Sequence, residues 1–352
     1  MEILQSNYPP VRTSSTSFFD MFYSLLAQAR CLDIAVGYVT ADSLIELQKL
    51  AELNDNLAEL NLTIGMHYIE NFTHAQYNAA KRLNDYLREN RRGQVRLVTA
   101  FKYHGKIYSY SNASGAFACI IGSNNLGSIV ERISRVYETS ILIDDFEQAK
   151  MLKEFIKQLN CNASRNIEDC DIQQFNTMPV LEDQFGVEKV SQDEVLHCLY
   201  SRTDTVFVIP IKGAEDAPKS NLNVFFGKGR EGSNGLIVPR HWYEVELIVP
   251  KDIATRPGYP ISNTDEAVFD VITDDGWKFS CTVNGAKNKN LRSEGDLRIL
   301  GKWLKGRLED AGVLTIGAPV LNETLRQYGR DTLTLTKTTL PNTWYLDFGV
   351  KK

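Results

Sequence analysis

Residues 103–127 read YHGKIYSYSNASGAFACIIGSNNLG, two strand-like runs, the first opening on a histidine and a lysine two positions apart and the second closing on a Gly-Ser-Asn-Asn turn. Side chains two apart on a strand share a face, so His104 and Lys106 are expected side by side. The turn at Gly122–Asn125 then presents a hydroxyl and carboxamides at the C-terminal end of the second strand.

Upstream of this stretch, CLDIAVGYVT, LAELNLTIGMH and GQVRLVTA read as further strands, and THAQYNAAKRLNDYLREN has helical spacing with Asn71 or Thr73 as its cap. Downstream, RVYETSILIDD is another strand, and a helix runs from about Phe146 to Leu159. Strands and helices in this alternation predict an α/β sandwich. Between about Asn166 and Ser191 the apolar periodicity fades, which reads as a linker or an ordered strap across the surface. Beyond it the chain reads mostly β: TDTVFVIPI, NLNVFFG, NGLIVP, YEVELIVP, AVFDVITDDGWKFSCTVNG, GVLTIGAPV and DTLTLTKT, with one clear helix in EGDLRILGKWLKGRLEDAG. Many short strands with Gly, Pro, Asn and Asp between them predict a sandwich or barrel. The expected organisation is an α/β domain over residues 1–175, a linker over 176–195 and a mostly-β domain over 196–352.

Length and composition agree with two globular domains, since 352 residues exceed the ~100–200 of a typical one. No run approaches the ~18 apolar residues of a membrane span, so no membrane association is expected. MEILQSNYPPVRTSS lacks a basic region followed by an apolar one, which makes the cytoplasm the expected compartment. Six cysteines without C-x-x-C spacing read as reduced structural thiols. The formal charge of −5 hides an asymmetry: residues 201–352 hold 21 Lys and Arg against 19 Asp and Glu, and residues 1–200 hold 18 against 25. A phosphate-facing surface is therefore expected in the second half, around KNKNLRS and LGKWLKGR.

Histidine near neutral pH can act as a nucleophile or carry a proton, and an adjacent lysine supplies fixed positive charge for a phosphoryl oxygen. A glycine-containing turn at a strand end suits an anion. Glu138, opening the next strand, could accept the imidazole N–H and fix its tautomer. Each residue alone reads as a structural residue, but His-x-Lys, Gly-Ser-x-Asn and Glu each open or close one of three adjacent strands and would converge on one point. His67, His74, His197 and His241 show no ligand spacing, and no carboxylate cluster suits Mg²⁺, so no metal is expected.

The pattern His104-x-Lys106, Gly122-Ser123-x-Asn125 and Glu138 resembles the phospholipase D superfamily, in the minimal nuclease branch with one motif copy per chain, over about residues 20–160. Ser111 stands where many members carry an acidic residue, which weighs against a lipase more than against a nuclease. The resemblance implies a phospholipase D-like α/β/α sandwich. It also implies a homodimer in which two copies of His104 flank one phosphodiester. One imidazole forms a phosphohistidine and the other serves as acid and base, with Lys106, Asn125 and, secondarily, Ser123 stabilising the charge.

In the second half, Lys228, Arg230, Ser233 and Asn234 sit in a glycine-spaced loop, and Asn284, Lys287, Asn288, Lys289, Asn290 and Arg292 form a second basic segment. Arg and Lys can pair with guanine edges or phosphates, and Asn suits adenine. This half is similar to the B3-like pseudobarrel of restriction enzymes, whose two arms grip the major groove, and the loops fall where those arms belong. The whole arrangement is similar to the NgoAVII-like and BfiI-like restriction endonucleases. That resemblance implies a metal-independent, site-specific nuclease acting on double-stranded DNA. It also implies a separate helicase or ATPase subunit that uses ATP, and a cognate DNA methyltransferase. The chain itself has no G-x-x-x-x-G-K-[ST] motif and no cofactor is expected in it. Two rival readings are a DNA-binding regulator with a vestigial nuclease fold and a phosphodiesterase acting on lipid.

Overall fold

The structure is a computed structural model that describes residues 1–130, 136–182, 184–262 and 267–350. Contacts divide it into two compact units, residues 1–178 with 229–239, and residues 179–228 with 240–352.

The first unit runs β1 (Glu2–Gln5), α1 (Phe18–Leu26), β2 (Cys31–Val36), α2 (Ala41–Leu53), β3 (Glu59–Ile64), α3 (His67–Glu70), β4 (Phe72–Thr73), α4 (His74–Glu89), β5 (Gly93–Val98), β6 (Ile107–Asn112), β7 (Gly115–Gly122), β8 (Thr139–Ile143), α5 (Phe146–Ala163), β9 (Ser164–Asn166) and β10 (Phe175–Asn176). One mixed sheet is ordered β1-β8-β7-β6-β2-β3-β5-β9. Its centre is parallel, with β2 beside β3 and β3 beside β5, while β6, β7 and β8 run antiparallel to their neighbours. All six residues of β2 are buried, as expected of a strand covered on both faces. Helix α4 starts where its sequence asks it to: the Thr73 hydroxyl accepts from Gln76 N and the Gln76 side chain returns the bond to Thr73 N. Phe18, Phe22 and Tyr23 of α1 pack with Tyr108 and Tyr110 of β6 on one face of the sheet. On α5, Ile156 and Leu159 pack into a cluster with Ala35, Val98, Tyr103 and Ile107.

The second unit contains β11 (Glu188–Lys189), α6 (Gln192–Tyr200), β12 (Arg202–Pro210), β15 (Leu247–Ile248), α7 (Lys251–Ala254), β16 (Val268–Thr273), β17 (Trp277–Asn284), β18 (Asn290–Ser293), α8 (Ile299–Asp310), α9 (Asn322–Tyr328), β19 (Thr332–Thr338) and β20 (Thr343–Asp347). The hairpin β13 (Arg230–Glu231) and β14 (Ile237–Val238) falls between them in sequence but packs with the first unit. The sheet runs in the order β12-β19-β20-β16-β17-β18-β15, with β11 added beside β17, and curls into a half-barrel.

The structure departs from the sequence expectation in two of the β-like runs of this unit. NLNVFFG contains a single 3-10 turn at Val224–Phe226, and GVLTIGAPV forms no strand. One side chain ties the two segments together in place of a ladder, because Asn223 Nδ2 donates to Val320 O (3.0 Å) and Val320 N donates to Asn223 Oδ1 (2.9 Å). The stretch read as a linker or an ordered strap has buried anchors, with Leu181, Gln184 and Val187 each 5% exposed or less.

Candidate active site

Antiparallel pairing brings the ends of four strands together. The β6–β7 ladder begins at Ile107 opposite Ile121, and the β7–β8 ladder places Gly122 opposite Ser140. The start of β6, the end of β7, the start of β8 and the end of β2 therefore lie along one edge. Gly122 is required there, since a Cβ would sit 2.4 Å from Ser140 Cα. A Cβ on Gly37, just after β2, would stand 3.3 Å from His104 Cδ2, so the chain passes close beneath the imidazole.

His104 and Lys106 precede β6 rather than lying in it, another departure from the expected strand; the ladder starts only after Lys106. They still meet. Lys106 Nζ lies 3.1 Å from His104 Nδ1 and 3.2 Å from Nε2, and donates to the His104 carbonyl at 2.7 Å. His104 is exposed and Lys106 is buried, at 5%. Burial holds the Lys106 ammonium below the usual lysine range, and Glu138 pulls it back up.

Asn125 is oriented by the backbone of β2's extension: its Oδ1 accepts the Tyr38 N–H at 3.0 Å. Ser123 Oγ bridges to the backbone of Thr139, donating to its carbonyl (3.2 Å) and accepting its N–H (3.0 Å). Glu138 is fixed through its main chain, which exchanges bonds with the main chain and hydroxyl of Ser6. Burial raises the Glu138 carboxyl, while the Ser123 hydroxyl and the Lys106 charge lower it. The expected Glu138–His104 hydrogen bond does not form among the described residues; the carboxylate answers Lys106 instead.

Tyr38 and Glu70 join the site without any signal in the sequence. The Tyr38 hydroxyl donates to Glu70 Oε2 at 2.6 Å, Lys102 Nζ donates to Glu70 Oε1 at 2.8 Å, and the Tyr38 ring stands edge-on to His104 at 5.6 Å. Neither residue belongs to a recognisable motif.

Cys31, Asp33 and Glu59 bring three ligand-type atoms together. Their charge is already met by protein groups, with Lys153 Nζ 3.5 Å from Asp33 and Asn61 Nδ2 donating to Asp33 and Glu59 at 2.9 Å. All six cysteines are free thiols.

Of the residues expected to meet DNA, Lys228 closes a segment of the second unit, whereas Arg230, Ser233 and Asn234 lie in the hairpin of the first, with Ser233 and Asn234 exposed at its tip. The second set clusters around the β17–β18 turn. Lys287 and Lys289 are exposed, and neither forms an ion pair among the described residues. Asn288 is committed to the fold, since its Oδ1 accepts from Ser262 N and Oγ at 2.9 and 2.7 Å. Asn284, Asn290 and Arg292 are half-buried, and Asn290 Oδ1 and Arg292 Nε are buried without a partner among the described residues.

Residues 17–175 match the model of the NgoFVII restriction endonuclease N-terminal PLD domain, and residues 198–339 match that of the NgoFVII C-terminal B3-like DNA-binding domain. The chain belongs to the NgoFVII restriction endonuclease family. Its first unit is a phospholipase D-like nuclease domain and its second a B3-like pseudobarrel, so DNA is its partner. Among solved structures, the phospholipase D family member Nuc from Salmonella typhimurium is similar at 16% identity and a TM-score of 0.33, covering 47% of this chain and 95% of Nuc. Phosphatidylserine synthase from Haemophilus influenzae Rd KW20 is similar at 15% identity and a TM-score of 0.34, covering 48% of this chain and 40% of the synthase. No curated protein sequence matches. No helix among the described residues is long and apolar enough to cross a membrane.

Proposed function

We propose that this NgoFVII-family chain is a restriction nuclease that reads a short double-stranded DNA sequence and hydrolyses phosphodiesters through His104, without a metal ion in the step. The observation that supports this best is the exposed His104 imidazole against the buried Lys106 ammonium, at the strand ends where Ser123, Asn125 and Glu138 also gather. Nucleophile, proton carrier and fixed positive charge are then all side chains.

In this reading a His104 ring nitrogen attacks phosphorus as the bond to the leaving oxygen breaks, and His104 of a second copy gives that oxygen its proton. Water then attacks the phosphohistidine, loses its proton to the same second imidazole, and breaks the N–P bond. One chain carries one such pair, so the working unit is a homodimer with a shared site. Lys106 and Asn125 stabilise the charge on the non-bridging oxygens, with Ser123 a weaker contributor. The loops at 228–234 and 284–292 read the sequence. A helicase or ATPase subunit that consumes ATP and a cognate methyltransferase complete the system, in the cytoplasm.

The test is incubation of the purified protein with unmethylated plasmid in EDTA, wild type beside His104→Ala. Cutting by wild type alone is the expected result. Cutting by His104→Ala refutes the histidine nucleophile, and a requirement for added divalent metal refutes metal independence. Silence from both, with cell extract and ATP supplied, leaves the DNA-binding regulator.

A further inference from the structure

We propose that Tyr38 is a positioning residue for phosphodiester cleavage, holding Asn125 through its backbone and the His104 segment through a Tyr38–Glu70–Lys102 chain. The inference rests on the reading of His104 and Asn125 as the residues that act on phosphate.

A carboxamide has one acceptor end and one donor end. The Tyr38 N–H occupies Asn125 Oδ1, which leaves Nδ2 as the end available to a phosphoryl oxygen. Leu126 N donates in turn to the Tyr38 carbonyl at 3.4 Å, so the turn carrying Asn125 is braced at two points by one residue. Any shift of Tyr38 turns the carboxamide.

The side chain of Tyr38 is then tied down on the opposite side. Its ring stands edge-on between two imidazoles, 5.5 Å from His67 and 5.6 Å from His104. His67 is locked: Nε2 accepts the Val39 N–H at 3.2 Å, so Nδ1 donates to the Asn71 carbonyl at 3.1 Å, and burial keeps the ring neutral. The hydroxyl reaches Glu70, which also takes the ammonium of Lys102. Lys102 lies two residues before His104 and Lys106 two residues after it, so the nucleophile is held from both sides. The phenol stays protonated, because the Glu70 carboxylate raises its pKa. The end of β2 at Val36 is what lets Tyr38 turn out of the sheet toward this circuit.

The test compares Tyr38→Phe, Glu70→Gln, the double variant and His104→Ala in plasmid cleavage, with thermal melting and DNA binding measured alongside. Tyr38→Phe keeps the ring but releases the hydroxyl, and loose positioning of reacting groups is expected to lower kcat about tenfold with KM unchanged. Glu70→Gln acts on the same chain, so the double variant should lose little more than Tyr38→Phe alone. Wild-type kcat in Tyr38→Phe overturns the inference, as does a loss matched by falls in melting temperature and DNA binding, or strict additivity of the two changes. If Tyr38→Phe misfolds, Glu70→Gln and Lys102→Met read the same circuit. Full activity of His104→Ala defeats the underlying reading of His104 as the nucleophile, a result separate from any behaviour of Tyr38.

Discussion

Replacing Lys106 with methionine should separate activity from stability. The ammonium is 5% exposed, lies 3.1 and 3.2 Å from the His104 ring nitrogens, and has the carbonyl of His104 as its acceptor at 2.7 Å. It is a fixed charge in a poorly solvated place beside the His104 ring, where the proposed mechanism puts negative charge. Deleting one such preorganised donor costs about 10²–10³ in kcat, or about 2.7–4 kcal/mol of transition-state stabilisation. Stability should move the other way. The folded-state pKa of Lys106 is depressed by burial, so its contribution is present above the ordinary lysine value and lost as pH falls through the folded one. At neutral pH the buried charge is therefore a cost, which methionine of similar length removes without leaving a large void. The assay is single-turnover plasmid cleavage at saturating protein, with gel-shift binding and a thermal melt on the same preparation. Expected are a large fall in cleavage, unchanged binding and a melting temperature that does not drop. Cleavage at the wild-type rate, or loss explained wholly by unfolding, refutes the role given to Lys106.

Other consequences can be measured in the second unit. Lys289→Ala should weaken DNA binding and reduce the slope of log K against log salt by about 1, because its exposed ammonium has no carboxylate partner among the described residues and can displace a counterion; an unchanged slope removes the β17–β18 turn from the interface. On α8, burial pushes Glu309 from 4.5 up to about 7 and Lys305 from 10.5 down to about 7. The Glu309 contribution to stability is full below 4.5 and lost as pH rises through about 7, and that of Lys305 is lost as pH falls through about 7. Melting temperature of this unit should pass through a minimum near neutrality, and Glu309→Gln should flatten the acid limb; a wild-type acid limb in the variant rejects the assignment.

The parts of the fold legible in the sequence are those where local chemistry and tertiary packing agree. The capping pair Thr73 and Gln76 and the apolar run of β2, broken only by Asp33, specify their elements alone. The failures fall where a distant side chain replaces a ladder. Phe225 and Val320 are as buried as strand residues, but Asn223 satisfies the backbone between their segments, and no spacing announces a carboxamide 97 residues away. The site divides along the same line. His104, Lys106, Ser123, Asn125 and Glu138 are visible because they stand near strand ends at fixed spacing, whereas Tyr38 after β2 and Glu70 after β3 are distant in sequence and come together only because those two strands pair in parallel.

Glu138 shows how a residue picked out by its position can be given the wrong partner. A carboxylate near a histidine suggests an orienting bond, but here the chain fixes Glu138 by its main chain to Ser6, and its charge acts on Lys106. Burial lowers the Lys106 pKa; Glu138 opposes that, and Lys106 lowers the Glu138 carboxyl in return. Each favours the charged form of the other in a place where burial disfavours both. The exposed imidazole is left with its ring nitrogens facing one ammonium. An ammonium has donors and no acceptor, so a ring nitrogen that bonds to it must present its lone pair. The carboxylate therefore bears on the histidine indirectly, through the charged form of the ammonium that the ring faces.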